Sequence, residues 1–252
     1  METEGFYLKN SNNLKEFSES PTFDLFWENS KFNKYNALQL SNKLNEDART
    51  SKTIPQLFYP TEELQLKKPN DNLAKILDRR ESKRKFSEYE LTEKQLGSLF
   101  YGFSQKENMT RIIPSAGAKY PVEVYAFLFN VRGPLNKKVV YYNPDFHSLS
   151  IVNDCGSFQE VNEHCGLRVE GNPSVLFVFV GFVERVTKKY GERGGRFFLI
   201  EVGHYAQTLG LRIAQEKLCG VEVGGIYDDE MKKHLKLENT NALIGLGFAC
   251  GN

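Results

Sequence analysis

The sequence carries almost no excess charge of either sign: 33 basic against 32 acidic side chains leave a formal net charge of +1 over 252 residues. Nucleic acid as a main partner needs a basic excess to neutralise phosphates, so that class is set aside. Long apolar runs are absent too. The longest, Val175 to Val183, is nine residues, far short of the roughly 20 that cross a bilayer. The opening METEGFYLKNSNN has no apolar stretch of the kind a secretory leader needs. Cysteine is scarce: Cys155, Cys165, Cys219 and Cys250 form no C-x-x-C pair and read as free, buried thiols in a reducing compartment. His147, Cys155, His164 and Cys165 follow no metal-site spacing. No internal repeat, no βαβ alternation and no G-x-G-x-x-G are present. These absences point to a soluble cytoplasmic protein with no membrane partner and no metal. Its length is enough to bury a large core.

What is present is organised around Val186 to Gly220. A basic, glycine-containing turn, Lys188-Lys189-Tyr190-Gly191-Glu192-Arg193-Gly194-Gly195, leads into a long helix. Phe198, Val202, Tyr205, Leu209, Ile213 and Leu218 keep an apolar face at helical period, while Glu201, His204, Thr208, Arg212 and Gln215 follow a polar one. So much apolar surface places the helix at the centre of a domain. The adjacent Lys189 and Tyr190 are candidates for an acid/base pair; without further context they read as a surface loop. His204 reads as a packed or hydrogen-bonded histidine, and Glu201 and Gln207 as partners of neighbouring buried groups.

Along the chain, residues 1–70 are aromatic-containing but polar. One helix through Leu38, Leu40 and Leu44 is expected, and Pro55, Pro60 and Pro69 break any regular structure after it. The segment reads as an arm lying on the body or on a second subunit, and residues 71–252 as the main domain. NLAKILDRR makes a short amphipathic helix. Arg80, Ser82 and Arg84 then alternate, so in an extended segment they share a face. Two guanidiniums and a hydroxyl there suit a phosphate, whose oxygens match the planar Arg fork; taken alone, the same residues read as a solvated basic loop. Thr92 and Gln95 form a capping box. Pro114-Ser115-Ala116-Gly117 is a loop of small residues whose amides can approach a flat ligand, and it feeds a strand from Val122. Strands at KKVVYYN and HSLSIVN flank an Asn143-Pro144-Asp145 turn. Ser174 to Val183, apolar on both faces, is a central strand. Gly224-Gly225 form a loop, KKHLKL a short helical piece and Ala242 to Ala249 a last strand. The order is α+β.

R-x-S-x-R-x-F, then PSAGAKYPVE (Pro114–Glu123), then KYGERGGR (Lys189–Arg196) with E-x-G-H-x-x-Q, then Gly-Gly and a terminal strand resemble the nitroreductase-like flavoproteins. More narrowly, with Trp27-Glu28-Asn29-Ser30-Lys31-Phe32-Asn33 upstream, they resemble the SagB/McbC-type azoline dehydrogenases of thiazole/oxazole-modified peptide biosynthesis. The resemblance covers nearly the whole chain. It implies a central, mixed but mainly antiparallel sheet surrounded by helices, in a homodimer with FMN at the interface. Arg80, Ser82 and Arg84 would hold the FMN phosphate and the polar edge of its ring. Pro114, Ser115, Ala116 and Gly117 would lie along the ring, and Gly224 and Gly225 would offer amides near its N5/O4 edge. A thiazoline or oxazoline aromatises by losing a proton and a hydride, FMN accepting the hydride and O2 later reoxidising it. Lys189 is the expected base, its pKa lowered from about 10.4 by burial and by neighbouring cations, with Tyr190 orienting the ring nitrogen or relaying a proton. Cyclodehydratase subunits and a precursor peptide are the expected partners. An NAD(P)H-dependent nitro- or quinone reductase and a non-catalytic scaffold subunit are the alternatives. Gly195 stands where the group often has Tyr, Thr208 where Asn is common and Trp27 where His is common. The last strand closes the sequence, so a basic phosphate ligand from a C-terminal tail is not expected.

Overall fold

A computed structural model describes residues 18–50 and 63–252. Pro55, Pro60 and the opening METEGFYLKNSNN lie outside the described residues. Helices α1 (Pro21–Ser30) and α2 (Ala37–Thr50) come first. They are followed by α3 (Asn72–Arg79), strand β1 (Lys85–Phe86), α4 (Glu93–Tyr101), β2 (Val122–Leu128), β3 (Lys138–Asn143) and β4 (Ser148–Asp154). Next come α5 (Phe158–Cys165), β5 (Glu170–Gly171), β6 (Val175–Gly181), α6 (Glu184–Tyr190), α7 (Arg193–Gln215), β7 (Cys219–Val223), α8 (Asp228–His234) and β8 (Leu243–Gly251).

Local chemistry sets several of these boundaries. α3 starts where the Asp71 side chain accepts from the Ala74 amide. Thr92 and Gln95 close the expected capping box on α4, and Ser157 with Glu160 closes another on α5, which ends at a left-handed Gly166.

Six strands form one sheet in the order β4-β3-β2-β6-β8-β7, and every neighbouring pair is antiparallel. Among the described strands, parallel pairing is confined to the short β1–β5 ladder. β2 and β6 are buried at every position, which is why β6 reads as a continuous apolar run rather than an alternation. Its residues divide between the two faces. Val175, Phe177 and Phe179 pack with Phe198, Val202, Tyr205, Leu209 and Ile213 of α7. Leu176, Val178 and Val180 pack with Val161 and Cys165 of α5, Met231 of α8 and Leu235 just after it. Each such apolar side chain contributes roughly 1.5–3 kcal/mol when fully buried.

One sequence expectation needs correction. Lys188, Lys189 and Tyr190 do not sit in a turn but end helix α6, and only Gly191 and Glu192 separate it from α7. The expected helices α2 and α3 are present, with Leu38 and Leu44 of α2 and Leu73 and Leu77 of α3 exposed within this chain. α1, by contrast, is seated: Phe23 and Trp27 join the α7 side of the core, Trp27 lying 5.7 Å from Phe198 between ring centroids. This explains Gly195, since a Cβ there would run into the Phe23 ring. Gly195→Ala should therefore lower stability by about 1–3 kcal/mol, the usual cost of overpacking. Urea unfolding monitored by Trp27 fluorescence measures this, and an unchanged midpoint would show that α1 is not seated on Gly195.

Candidate functional site

The residues singled out in the sequence fall into two places along α7. The first is its N-terminal end. α6 finishes with Lys189 and Tyr190, and Gly191, at φ +54, turns the chain into α7. Across from this turn lies the short 3-10 segment Ala116–Ala118. Gly117 has φ +59, and a Cβ placed on it would stand 2.5 Å from the Tyr190 hydroxyl and 2.8 Å from Lys189 Nζ. Only glycine supplies both that backbone and that clearance. The lysine head lies 5.2 Å from the Tyr190 ring centroid, and the Tyr190 ring meets Phe197 edge-on. Lys189 is exposed within the chain, so the burial expected of a base is not provided by this chain's own residues.

The loop beneath them is strained and held from several sides. Ala118 and Tyr120 also have positive φ, at a cost on the order of 1 kcal/mol each. The Tyr120 amide donates to Ser115 Oγ at 2.8 Å. Arg185 donates to the Tyr120 carbonyl at 2.9 Å, and the Arg111 guanidinium covers the Tyr120 ring at 4.5 Å. Arg185 also pairs with the buried Glu123, which accepts from the Tyr141 hydroxyl.

Glu201 does not lie where its charge suggests. Expected on the polar face of α7 as a partner of buried groups, it is instead 2% exposed, and neither carboxylate oxygen has a hydrogen-bond partner. The signal was in the spacing: Glu201 follows Phe198 by three and precedes Tyr205 by four, so the helix carries it onto the apolar stripe. Burial pushes its pKa up to about 7, against the Ser115 hydroxyl, Arg111 and the Val122 backbone, with Glu123 adding to the rise. His204, expected to be packed, is exposed.

The second place lies toward the other end of α7. A cavity of about 290 Å³ is lined there by Arg79, Arg80, Ser82, Lys83, Lys217 and the backbone of Gly210 and Gly220, with Glu81 and Glu222 also present. Arg79 is fixed by donating to the Ala214 carbonyl at 2.9 Å, and Arg80 reaches Ser82 Oγ at 3.5 Å. Lys83 donates its amide to the Gly220 carbonyl, which ties the extended segment to β7. Arg84 does not line this cavity: its side chain is exposed, and its carbonyl accepts from Glu170. Gly224 and Gly225 follow β7, with open space over Gly224 and the Phe32 ring 3.7 Å from a Cβ on Gly225.

All four cysteines are free, and burial raises the Cys155 thiol to about 11 and Cys165 to about 12. His147 bonds the Tyr142 hydroxyl, and His164 stacks on His234. Among the described residues no group of three or more His, Cys, Asp or Glu could hold a metal. No described helix is long and apolar enough to cross a membrane.

The antiparallel sheet between helix layers is the fold of a known oxidoreductase family. The sequence matches the nitroreductase family over residues 77–252, and the chain belongs to that oxidoreductase family. A Methanocaldococcus jannaschii protein described as a nitroreductase is 32% identical over 181 residues, covering 68% of this chain and 88% of its own length. Among solved structures, the Escherichia coli microcin synthetase complex with truncated pro-MccB17 bound contains a chain of TM-score 0.63. It is 22% identical and covers 94% of this chain and 88% of that one. A Ralstonia eutropha protein described as a nitroreductase has TM-score 0.58 at 20% identity, covering 80% of this chain and 95% of its own. At such identities the two structures establish a shared fold.

The position of Glu201 has a consequence for stability. Below about pH 4.5 folded and unfolded chains both keep its proton. As pH rises toward 7 only the unfolded chain releases it, so the folded state loses stability through that window and the loss levels off above it. Glu201→Gln should match wild type near pH 4.5 and exceed it at pH 8, by at most about 3 kcal/mol. Thermal unfolding across pH 4.5–8 reads this; parallel curves would place Glu201 as an ordinary carboxylate.

Proposed function

We propose that this chain is an FMN-dependent dehydrogenase that oxidises thiazoline or oxazoline rings, in a ribosomally made peptide, to thiazoles or oxazoles. The observation that carries the reading is the convergence of Lys189 Nζ and the Tyr190 hydroxyl over Gly117. A base and a hydroxyl aimed across a small-residue loop suit a reaction that removes a proton from carbon beside a flat acceptor.

The residues of the second place suit FMN. The cavity presents guanidinium and ammonium donors, the Ser82 hydroxyl and glycine backbone, a donor set matched to a phosphate and its polar tail. FMN bound there would supply a two-electron acceptor that molecular oxygen could reoxidise. Arg80 and Ser82 would hold its phosphate end, with Arg84 beside them on the same segment. Pro114 to Gly117 would form the small-residue wall, and Gly224-Gly225 would offer backbone amides on the β7 side. Lys189 takes the ring proton at Nζ. Tyr190 orients the ring nitrogen through its hydroxyl. Substrate and a second subunit supply the cover over Lys189 that this chain alone leaves open.

A homodimer belongs to the proposal. Phe197, against Tyr190, and Gly210, at the cavity, are 13 residues apart on α7, or about 20 Å at the helical rise. One chain therefore holds the two half-sites well apart, and a second copy brings its own Gly117 loop to the first chain's cavity. Exposed Leu73, Leu77, Leu199 and Ile200 supply apolar surface for that contact. Residues 1–70 serve as the arm that docks subunits or partners, and 71–252 as the catalytic domain. Cyclodehydratase subunits that make the ring are the partners, and the fold likeness to a chain of a microcin synthetase complex fits such an assembly.

Purified protein should be yellow and release about one FMN per chain. With an azoline peptide, mass spectrometry should show the loss of two hydrogens per ring, reduced at least 100-fold in Lys189→Ala. Rapid bleaching by NADH or NADPH with full activity in Lys189→Ala would favour the nitro- or quinone-reductase reading. Colourless protein that refuses added FMN would leave the scaffold reading.

A further inference from the structure

Helix α1 touches both parts of the chain to which this reading assigns chemistry. At its first turn, the backbone amides of Thr22 and Phe23 donate to the two oxygens of Glu192 at 2.8 and 2.9 Å. The N-cap residue Ser20 makes no side-chain cap hydrogen bond. A carboxylate supplied by another element thus satisfies two of its unpaired amides and complements the helix dipole. Glu192 lies two residues beyond Tyr190. At the other end, Phe32 forms a bridge with Tyr227. Its amide donates to Asp228 Oδ2 at 3.0 Å, its carbonyl accepts from the Asp228 amide at 3.3 Å, and its ring lies over Gly225 and against Tyr227. Lys31 pairs with Asp229 beside it. Phe23 and Trp27 anchor the span between these clips in the core.

We infer that α1 is a strap that fixes the Lys189–Tyr190 end of α6 relative to the Gly224–Gly225 loop, with Glu192 and Asp228 as its positioning residues and Phe32 as a wall beside Gly225. The helix is 10 residues long, about 15 Å at the helical rise, and is rigid over that length. Loss of either clip frees one end while the core anchor persists. Neither carboxylate touches the reacting atoms. Each acts through the segment it holds, where a misplacement of about 1 Å lowers turnover on the order of 100-fold.

The inference rests on the proposed reaction, so its test has one arm that needs no substrate. Backbone hydrogen exchange on the FMN-loaded protein should accelerate at residues 187–191 in Glu192→Ala and at 224–227 in Asp228→Ala, while β2 and β6 keep wild-type protection. In the second arm, kcat for azoline oxidation should fall at least tenfold in both variants, with KM for the peptide and FMN content within about twofold of wild type. Glu192→Gln, which keeps one acceptor oxygen and disturbs folding least, should recover most of the rate. Exchange unchanged at both segments overturns the strap, and so does accelerated exchange with wild-type turnover. Acceleration spread across β2 and β6 also overturns it, because the carboxylates would then be merely structural. Should wild-type protein hold FMN yet leave the azoline peptide unchanged, the proposed reaction fails, and the exchange arm alone decides the strap.

Discussion

The structure depends on one packing contact, that of helix α7 across the sheet. Phe198, Val202, Tyr205, Leu209 and Ile213 are buried with Phe177 and Phe179 of β6 and Phe248 of β8. A helix of 23 residues fixed in this way is a rigid rod with two ends. One end receives the α6 turn, α1 and the Ser115–Gly117 loop; the other receives the extended segment from Arg80 and the cavity walled by Gly210 and Gly220. The chemistry assigned to the chain thus takes its spacing from a hydrophobic contact that itself touches none of it.

The end bearing Lys189 and Tyr190 breaks several local rules at once. Gly117, Ala118 and Tyr120 adopt positive φ, and the buried carboxylate of Glu201 makes no hydrogen bond although Ser115 and Arg111 lie near it. An unpaired buried carboxylate is costly enough that it keeps its proton well above the usual range. The surrounding ion pair, cation-ring contact and hydrogen bonds hold the loop in place despite that cost. Concentrated strain of this kind is found where a fold serves a site rather than its own stability.

Much of the fold was legible from local pattern. The capping box at Thr92 and Gln95, the hairpin around Asn143-Pro144-Asp145 and the two-faced apolar run of β6 each follow from interactions among near neighbours in sequence, or from burial on both faces. The candidate site was less so. The sequence placed Lys189 and Tyr190 in a loop, because the glycines after them masked a helix end. It grouped Glu201 with the polar face as a partner of buried groups, and its register beside Phe198 and Tyr205 was not used to see that the carboxylate itself is buried. Glu192 and Asp228 drew no attention, since 169 to 196 residues of chain separate them from their partners Thr22, Phe23 and Phe32.

The sequence by itself determined the α+β class, the central strand, the long helix and the residue types available for chemistry, because propensity, capping and hydrophobic period act over a few residues. Only the tertiary structure decided that Gly117 meets Lys189 and Tyr190, that Arg80 and Ser82 share a cavity without Arg84, and that α1 is clipped at both ends. Those are contacts between segments whose mutual approach depends on how helix and sheet faces pack, and no local pattern encodes which distant backbone a side chain will reach.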